Sequence, residues 1–99
     1  MNEQQQMIIN YHKKNPHLYK AFQQFSSNAY GLGYKYFSAE MIINRMRWQT
    51  MIEAKDDSFK IRNAIKPFYA RMLMAKNKKY NNFFKLRPSI WDGFNFDEL

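Results

Sequence analysis

Apolar positions recur at helical spacing over most of this chain. Residues 2 to 14 read as a weakly amphipathic helix, stopped at "NP" because the residue before a proline is driven out of the α region. Pro16 suits the first turn of a second helix, where its missing N–H costs nothing. Leu18, Phe22, Phe25 and Ala29, with Tyr19 beside them, make one core-facing stripe. "GLG" at 31 to 33 ends that helix.

"YKYF", residues 34 to 37, alternates aromatic and charged and reads as a very short strand. Ser38 caps "AEMIINRMRWQTMIEA". In this third helix Met41, Trp48 and Ile52 share one face, read as core, with Ile42 and Met46 adjoining. Arg45 lies on the same side. An unpaired buried guanidinium costs several kcal/mol, so Arg45 is expected in a pair with Glu53 or Asp56, on Trp48, or at the exposed edge of an interface.

"KDDS", residues 55 to 58, is a turn, with Asp56 and Asp57 suited to an Asx turn. "FKI", residues 59 to 61, could add a short strand. Asn63 caps a fourth helix reaching about Lys76, with Pro67 in its first turn and Ile65, Phe68, Tyr69, Met72 and Leu73 on its buried side. "NKKY" is a basic turn, and "FFKLR", residues 83 to 87, returns to the core. After Pro88 the periodicity is lost.

The order predicts a mainly α fold with a small β element, a single winged-helix-like domain in which the third core helix enters a major groove. The alternative is a small helical bundle. The domain is expected over 1–87 with an accessory helix at about 2–14, and 88–99 as an acidic aromatic tail. If the protein pairs, as winged helices do, the first helix is the natural element for a homodimer.

Charge changes the picture most. The 99 residues carry a formal net charge of +8. Three of the eight acidic residues lie in 91–99, which hold no Lys or Arg, leaving sixteen basic residues against five acidic ones in 1–90, a net of +11. Such an excess points to a polyanion, with nucleic acid the leading candidate. Lys66 and Arg71 lie off most of the fourth helix's stripe and Arg62 precedes it, near a helix N-terminus that favours phosphate. Lys76, Lys78 and Lys79 occupy the expected wing and suit backbone contact. Arg62, Asn63 and Arg71 suit base edges, since Arg pairs guanine and Asn pairs adenine. Tyr34 and Tyr36 could stack single-stranded bases, or form one face of a half-buried strand. DNA is preferred to RNA as the partner.

The tail sets Trp91, Phe94 and Phe96 among acids. It could mask the basic body, dock on a partner protein through its aromatics, or pack on the core.

Nothing in the sequence assembles a reaction centre. His12 and His17 are five apart across Pro16, without a third ligand, and read as surface histidines. Asp56 and Asp57 are adjacent, so their side chains diverge. No phosphate loop, nucleophile elbow or zinc spacing is present. No enzyme activity, metal or cofactor is expected. With no cysteine, no long apolar run and no signal core, the expectation is a cytoplasmic protein without a membrane partner.

The segments "NPHLYKAF", "YFSAEMIINRMRWQT", "FKIRN", "YARMLM" and "FFKLR" in this order resemble a family of small basic, functionally uncharacterised phage and prophage proteins. The resemblance covers about residues 15–87. Its most specific piece is Arg47-Trp48 followed by Phe59-Lys60-Ile61 and Tyr69-Ala70-Arg71. Gln49 stands where that pattern has an acid, and Arg62-Asn63-Ala64 where it has more asparagine. The resemblance implies a phage origin, a bacterial host and a small accessory role, and supplies no catalytic residue. Two functions follow: a DNA-binding accessory or regulatory protein, or an inhibitor that blocks a host nuclease or polymerase through the basic face or the tail.

Overall fold

The computed structural model describes residues 1–54 and 61–99. The turn expected at 55–58, with Asp56 and Asp57, and the first two residues of the strand expected at 59–61 lie outside the described residues.

Local chemistry sets each helix boundary. Helix α1, Glu3–Lys14, opens on a capping box. Asn2 Oδ1 accepts the Gln5 N–H at 2.7 Å, and Gln5 Oε1 accepts the Asn2 N–H at 3.0 Å. Helix α2, Pro16–Gly31, starts on Pro16 and ends where Gly33 takes φ +96, a left-handed conformation costly for other residues. Helix α3, Ala39–Ala54, is capped by Ser38 Oγ, which accepts the Met41 N–H at 3.3 Å. Helix α4, Ile65–Lys76, lacks the Asn63 side-chain cap expected of it; the carbonyls of Arg62 and Asn63 accept the Ile65 and Lys66 N–H groups in its opening turn. A 3-10 turn follows at Lys78–Tyr80.

Helix α4 is the centre of the molecule. Ile65, Phe68, Tyr69, Ala70, Arg71, Met72 and Leu73 are all buried, so more than one face is covered. A helix buried on most sides needs packing partners on most sides. Helix α1 contributes Ile9, α2 contributes Leu18, Phe22 and Ala29, and α3 contributes Ile42, Ile43 and Met46. Asn82 takes φ +61, which asparagine tolerates, as the chain reverses and returns Phe83 and Phe84 to the core. The molecule measures 38 × 37 × 22 Å, about two helix diameters thick.

Among the described residues the β content is one parallel bridge, Phe37 to Phe84, with the Phe37 N–H donating to the Phe83 carbonyl at 2.8 Å. The segment expected as a strand at 34–37 and the returning segment 83–87 make this contact and extend no further. The protein is therefore a compact, mainly helical single domain.

Two expectations are corrected. Helix α3 does not bury its Met41–Trp48–Ile52 face. Ile42, Ile43 and Met46 face the core, and Trp48 is 59% exposed. Arg45 lies in the middle of the outer face, with its guanidinium 4.8 Å from the Phe25 ring centroid and hydrogen-bonded to Gln49. Turning that face inward would desolvate the cation.

The second correction concerns 88–99, which is no free tail. Trp91 is 1% exposed and Phe96 5%. The Trp91 ring lies 4.4 Å from Phe68, and Phe94 packs edge-on against Trp91 at 4.9 Å. Turns at Ser89–Asp92 and Trp91–Phe94, with Gly93 at φ +75, fold the segment over α4. Helix α1 docks on the same region, Gln5 Nε2 donating to the Ile90 carbonyl at 2.6 Å. One core therefore includes the first helix, the body and the final segment.

Candidate nucleic-acid interface

Burial and pairing divide the expected basic residues into two groups. Arg71 cannot read a base. Its guanidinium is buried and donates to Asp92 Oδ1 at 2.8 and 3.1 Å, to the Pro67 carbonyl at 3.1 Å and to the Arg87 carbonyl at 2.6 Å. This is an internal clamp, holding the 87–92 segment to α4. The Ser89 N–H and then Arg71 hold the Asp92 carboxyl below the usual carboxylate range.

Lys66 is half-exposed and paired with Glu40 at 2.8 Å. That bond pulls Glu40 below its ordinary value. Asn63 Oδ1 accepts from Arg47 Nη2 at 3.0 Å, and the same guanidinium donates to the Ile61 carbonyl. Asn63 therefore ties α3 to the start of α4, leaving its amide committed on the oxygen side. Arg62 is exposed, its guanidinium 5.7 Å from the Tyr11 ring centroid. Lys76 donates to the Leu99 carbonyl. Lys78 and Lys79 are exposed.

The two clusters are thus separated by the length of α4: Arg62, Asn63 and Lys66 at its start, Lys76, Lys78 and Lys79 beyond its end. A twelve-residue helix sets them about 18 Å apart. The intervening α4 surface is mostly covered.

The end holding Lys78 and Lys79 has a feature that the charge pattern alone did not reveal. Lys79 Nζ lies 5.5 Å from the Tyr30 ring centroid and 5.0 Å from that of Tyr80. Tyr30 packs on Tyr80 and Phe83, Phe83 stacks on Phe37, and Phe37 packs on Tyr34. A relay of rings therefore runs from the 3-10 turn to the α2–α3 junction. Tyr30 and Tyr34 expose its outer edges, while Phe83 is buried beneath. Tyr36 is 74% exposed and lines a cleft with Lys66, Lys85 and Arg87. Lys35 is exposed between the two tyrosines.

The partner-docking expectation for Trp91, Phe94 and Phe96 is corrected here. Trp91 and Phe96 spend their surface on the core, and Phe94 is half-buried against both. Within this packing the segment meets two basic residues of the body, Asp92 pairing with Arg71 and the Leu99 carbonyl accepting from Lys76.

Of the histidines, His12 is half-buried rather than a surface group. Its Nδ1 lies 2.8 Å from the Tyr69 hydroxyl. Burial, then the Tyr11 and Tyr19 hydroxyls, pushes the Tyr69 phenol up, so it stays protonated beside Nδ1. Burial, then Lys76 and Lys13, pushes His12 below its ordinary value, which favours a neutral imidazole. Tyr19, beside this pair, is pushed up to about 12 by burial. Among the described residues no group of three or more His, Cys, Asp or Glu side chains is placed to hold a metal ion, and no helix is long and apolar enough to cross a membrane.

No family model, curated protein or solved structure matches this chain.

Proposed function

We propose that this chain is a small nucleic-acid-binding accessory protein, of the phage type its sequence resembles, and that it holds single-stranded DNA at the α2–α3 junction. The observation that carries the reading is the ring relay flanked by lysines. Tyr30 and Tyr34 are braced from behind by Phe83 and Phe37, Lys79 lies over Tyr30, and Lys35 and Lys78 are exposed next to Tyr34 and Lys79 in sequence. Base stacking on a held aromatic ring contributes about 1–3 kcal/mol per base and tolerates any sequence. Lysines add phosphate contacts without base readout.

The winged-helix version would put α4 in a major groove, with residues 76–79 as the wing. The burial of α4 from Ile65 to Leu73 argues against that version, because a recognition helix needs one uncovered face. The proposal therefore moves the contact from the helix to the junction and keeps Lys78 and Lys79. Lys76, at the same end of α4, would extend the phosphate track.

Fluorescence anisotropy of a labelled single strand and its matching duplex, across a salt series, tests the proposal. The expected result is tighter binding to the single strand, with a log–log salt slope near −0.7 for each phosphate neutralised. Equal failure to bind both at low salt sinks it. The basic face would then fit the inhibitor reading, in which it blocks a host nuclease or polymerase.

A further inference from the structure

Helix α3 leaves an apolar face on the surface. Met41, Trp48, Met51 and Ile52 are each more than half exposed, while Ile42, Ile43 and Met46 fill the core on the opposite side. Together the four exposed side chains present apolar surface on the order of a few hundred Å², the size of the largest patch on a typical monomer, which is often a functional one. Among the described residues of this face the single formal charge is Arg45, with Asn44 and Gln49 at the sides.

We propose that this face pairs with the same face of a second copy, in an antiparallel dimer. The spacing is self-complementary. About a twofold axis midway between Met46 and Arg47, Met41 meets Ile52 of the second copy, and Arg45 meets Trp48. Each cation then lies on an indole face, an attractive contact. Phe25 of its own chain already backs that guanidinium at 4.8 Å. A parallel arrangement would instead set Arg45 against Arg45. Nucleic acid is a poor occupant, because an apolar face with one cation offers little to phosphate. A different protein would need a matching pattern that the second copy already has.

An apolar patch of that size lies below the roughly 800 Å² per partner of a standard stable interface. The dimer is therefore expected to be weak, in the micromolar range. Each copy carries +8, so added salt should strengthen pairing by screening repulsion. Salt acts in the opposite direction on nucleic-acid binding, which separates the two surfaces experimentally. The inference does not rest on the proposed function.

Sedimentation equilibrium of the full chain at low and moderate salt, from micromolar to several hundred micromolar, is the test. The expected result is a monomer–dimer equilibrium that tightens with salt. Trp48→Asp should weaken it by roughly 30-fold or more, with an unchanged thermal midpoint because the side chain is exposed. The register is tested in the Met41→Cys/Ile52→Cys double variant, since the chain has no other cysteine. Oxidation should cross-link the double variant into dimers and leave each single variant monomeric on a denaturing gel. A monomer at the highest concentration overturns the proposal. So does a dimer indifferent to Trp48→Asp, or cross-linking in a single variant. Loss of DNA binding in Trp48→Asp while the wild type stays monomeric would overturn it in favour of a nucleic-acid face.

Discussion

Arg71 on α4 and Asp92 in the final segment form an ion pair at 2.8 Å whose two ends differ sharply in exposure: the Arg71 side chain is 7% exposed and that of Asp92 55%. The buried member carries the cost of desolvation, so the two substitutions are unequal. Arg71→Ala should lower stability by about 3 kcal/mol, because it strips hydrogen bonds from the Asp92 carboxylate and the Arg87 carbonyl and leaves a gap beside α4. Asp92→Asn should cost less, since one amide oxygen can still accept from Arg71 while only the Ser89 N–H bond to the other carboxylate oxygen is lost. Chemical denaturation of the two variants checks the order. The folded fraction of Arg71→Ala should bind DNA as the wild type does.

Trp91→Ala should cost about 3–5 kcal/mol, the range for a large aromatic removed from a core. That approaches the whole stability of a small domain. A chain ending at Ile90 should lose its near-ultraviolet circular dichroism instead of gaining DNA affinity. A folded, tighter-binding truncation would support a masking role for the segment.

Acidification should destabilise the protein in two steps. His12 has a lowered folded-state pKa, so the unfolded chain binds its proton first. Stability is complete above the ordinary value of 6.5 and falls as pH drops through it. Asp92 is lowered from 3.8, so its contribution is present above that value and is lost as pH falls further. Thermal midpoints from pH 8 to about pH 3 should decline in both windows, and His12→Gln should remove the first decline.

Ser26→Ala should raise stability by about 1 kcal/mol. Ser26 is fully buried in α2 and its hydroxyl has no hydrogen-bond partner. Alanine removes the unmet desolvation cost and suits a helix better. A rise in the denaturant midpoint with unchanged slope is the expected readout.

Surface variants separate stacking from charge. Tyr30→Ala and Tyr34→Ala should weaken single-strand binding by about 1–3 kcal/mol per base stacked, with little change in the salt slope. Lys78→Gln and Lys79→Gln should each reduce the slope by about 0.7. Anisotropy titrations at several salt concentrations check both.

Much of the architecture follows from local chemistry along the chain. The Asn15-Pro16 break, the Ser38 cap and the glycine stop near 31–33 act through near neighbours, so they are legible without tertiary knowledge. The stripes of α2 and α4 are legible because each supplies one dominant run of core residues. The net basic charge is legible from counting. Helix α3 was different: it carries two apolar faces, one through Met41, Trp48 and Ile52, the other through Ile42, Ile43 and Met46. Period alone cannot choose between them; contact with α2 and α4, and the cost of burying Arg45, decided it. The fate of 88–99 also depended on the fold. Its aromatics have no regular spacing because they enter the core from turns, and their burial rests on the surface that Phe68 and α4 offer. Arg71 became a clamp for the same reason, since its partners are supplied by a segment some twenty residues further along. The Tyr30–Tyr34 platform exists only once Phe83 and Phe37 are brought beneath it. Helix-forming chemistry is local and additive, whereas the choice of buried face is a competition among surfaces that meet only in three dimensions.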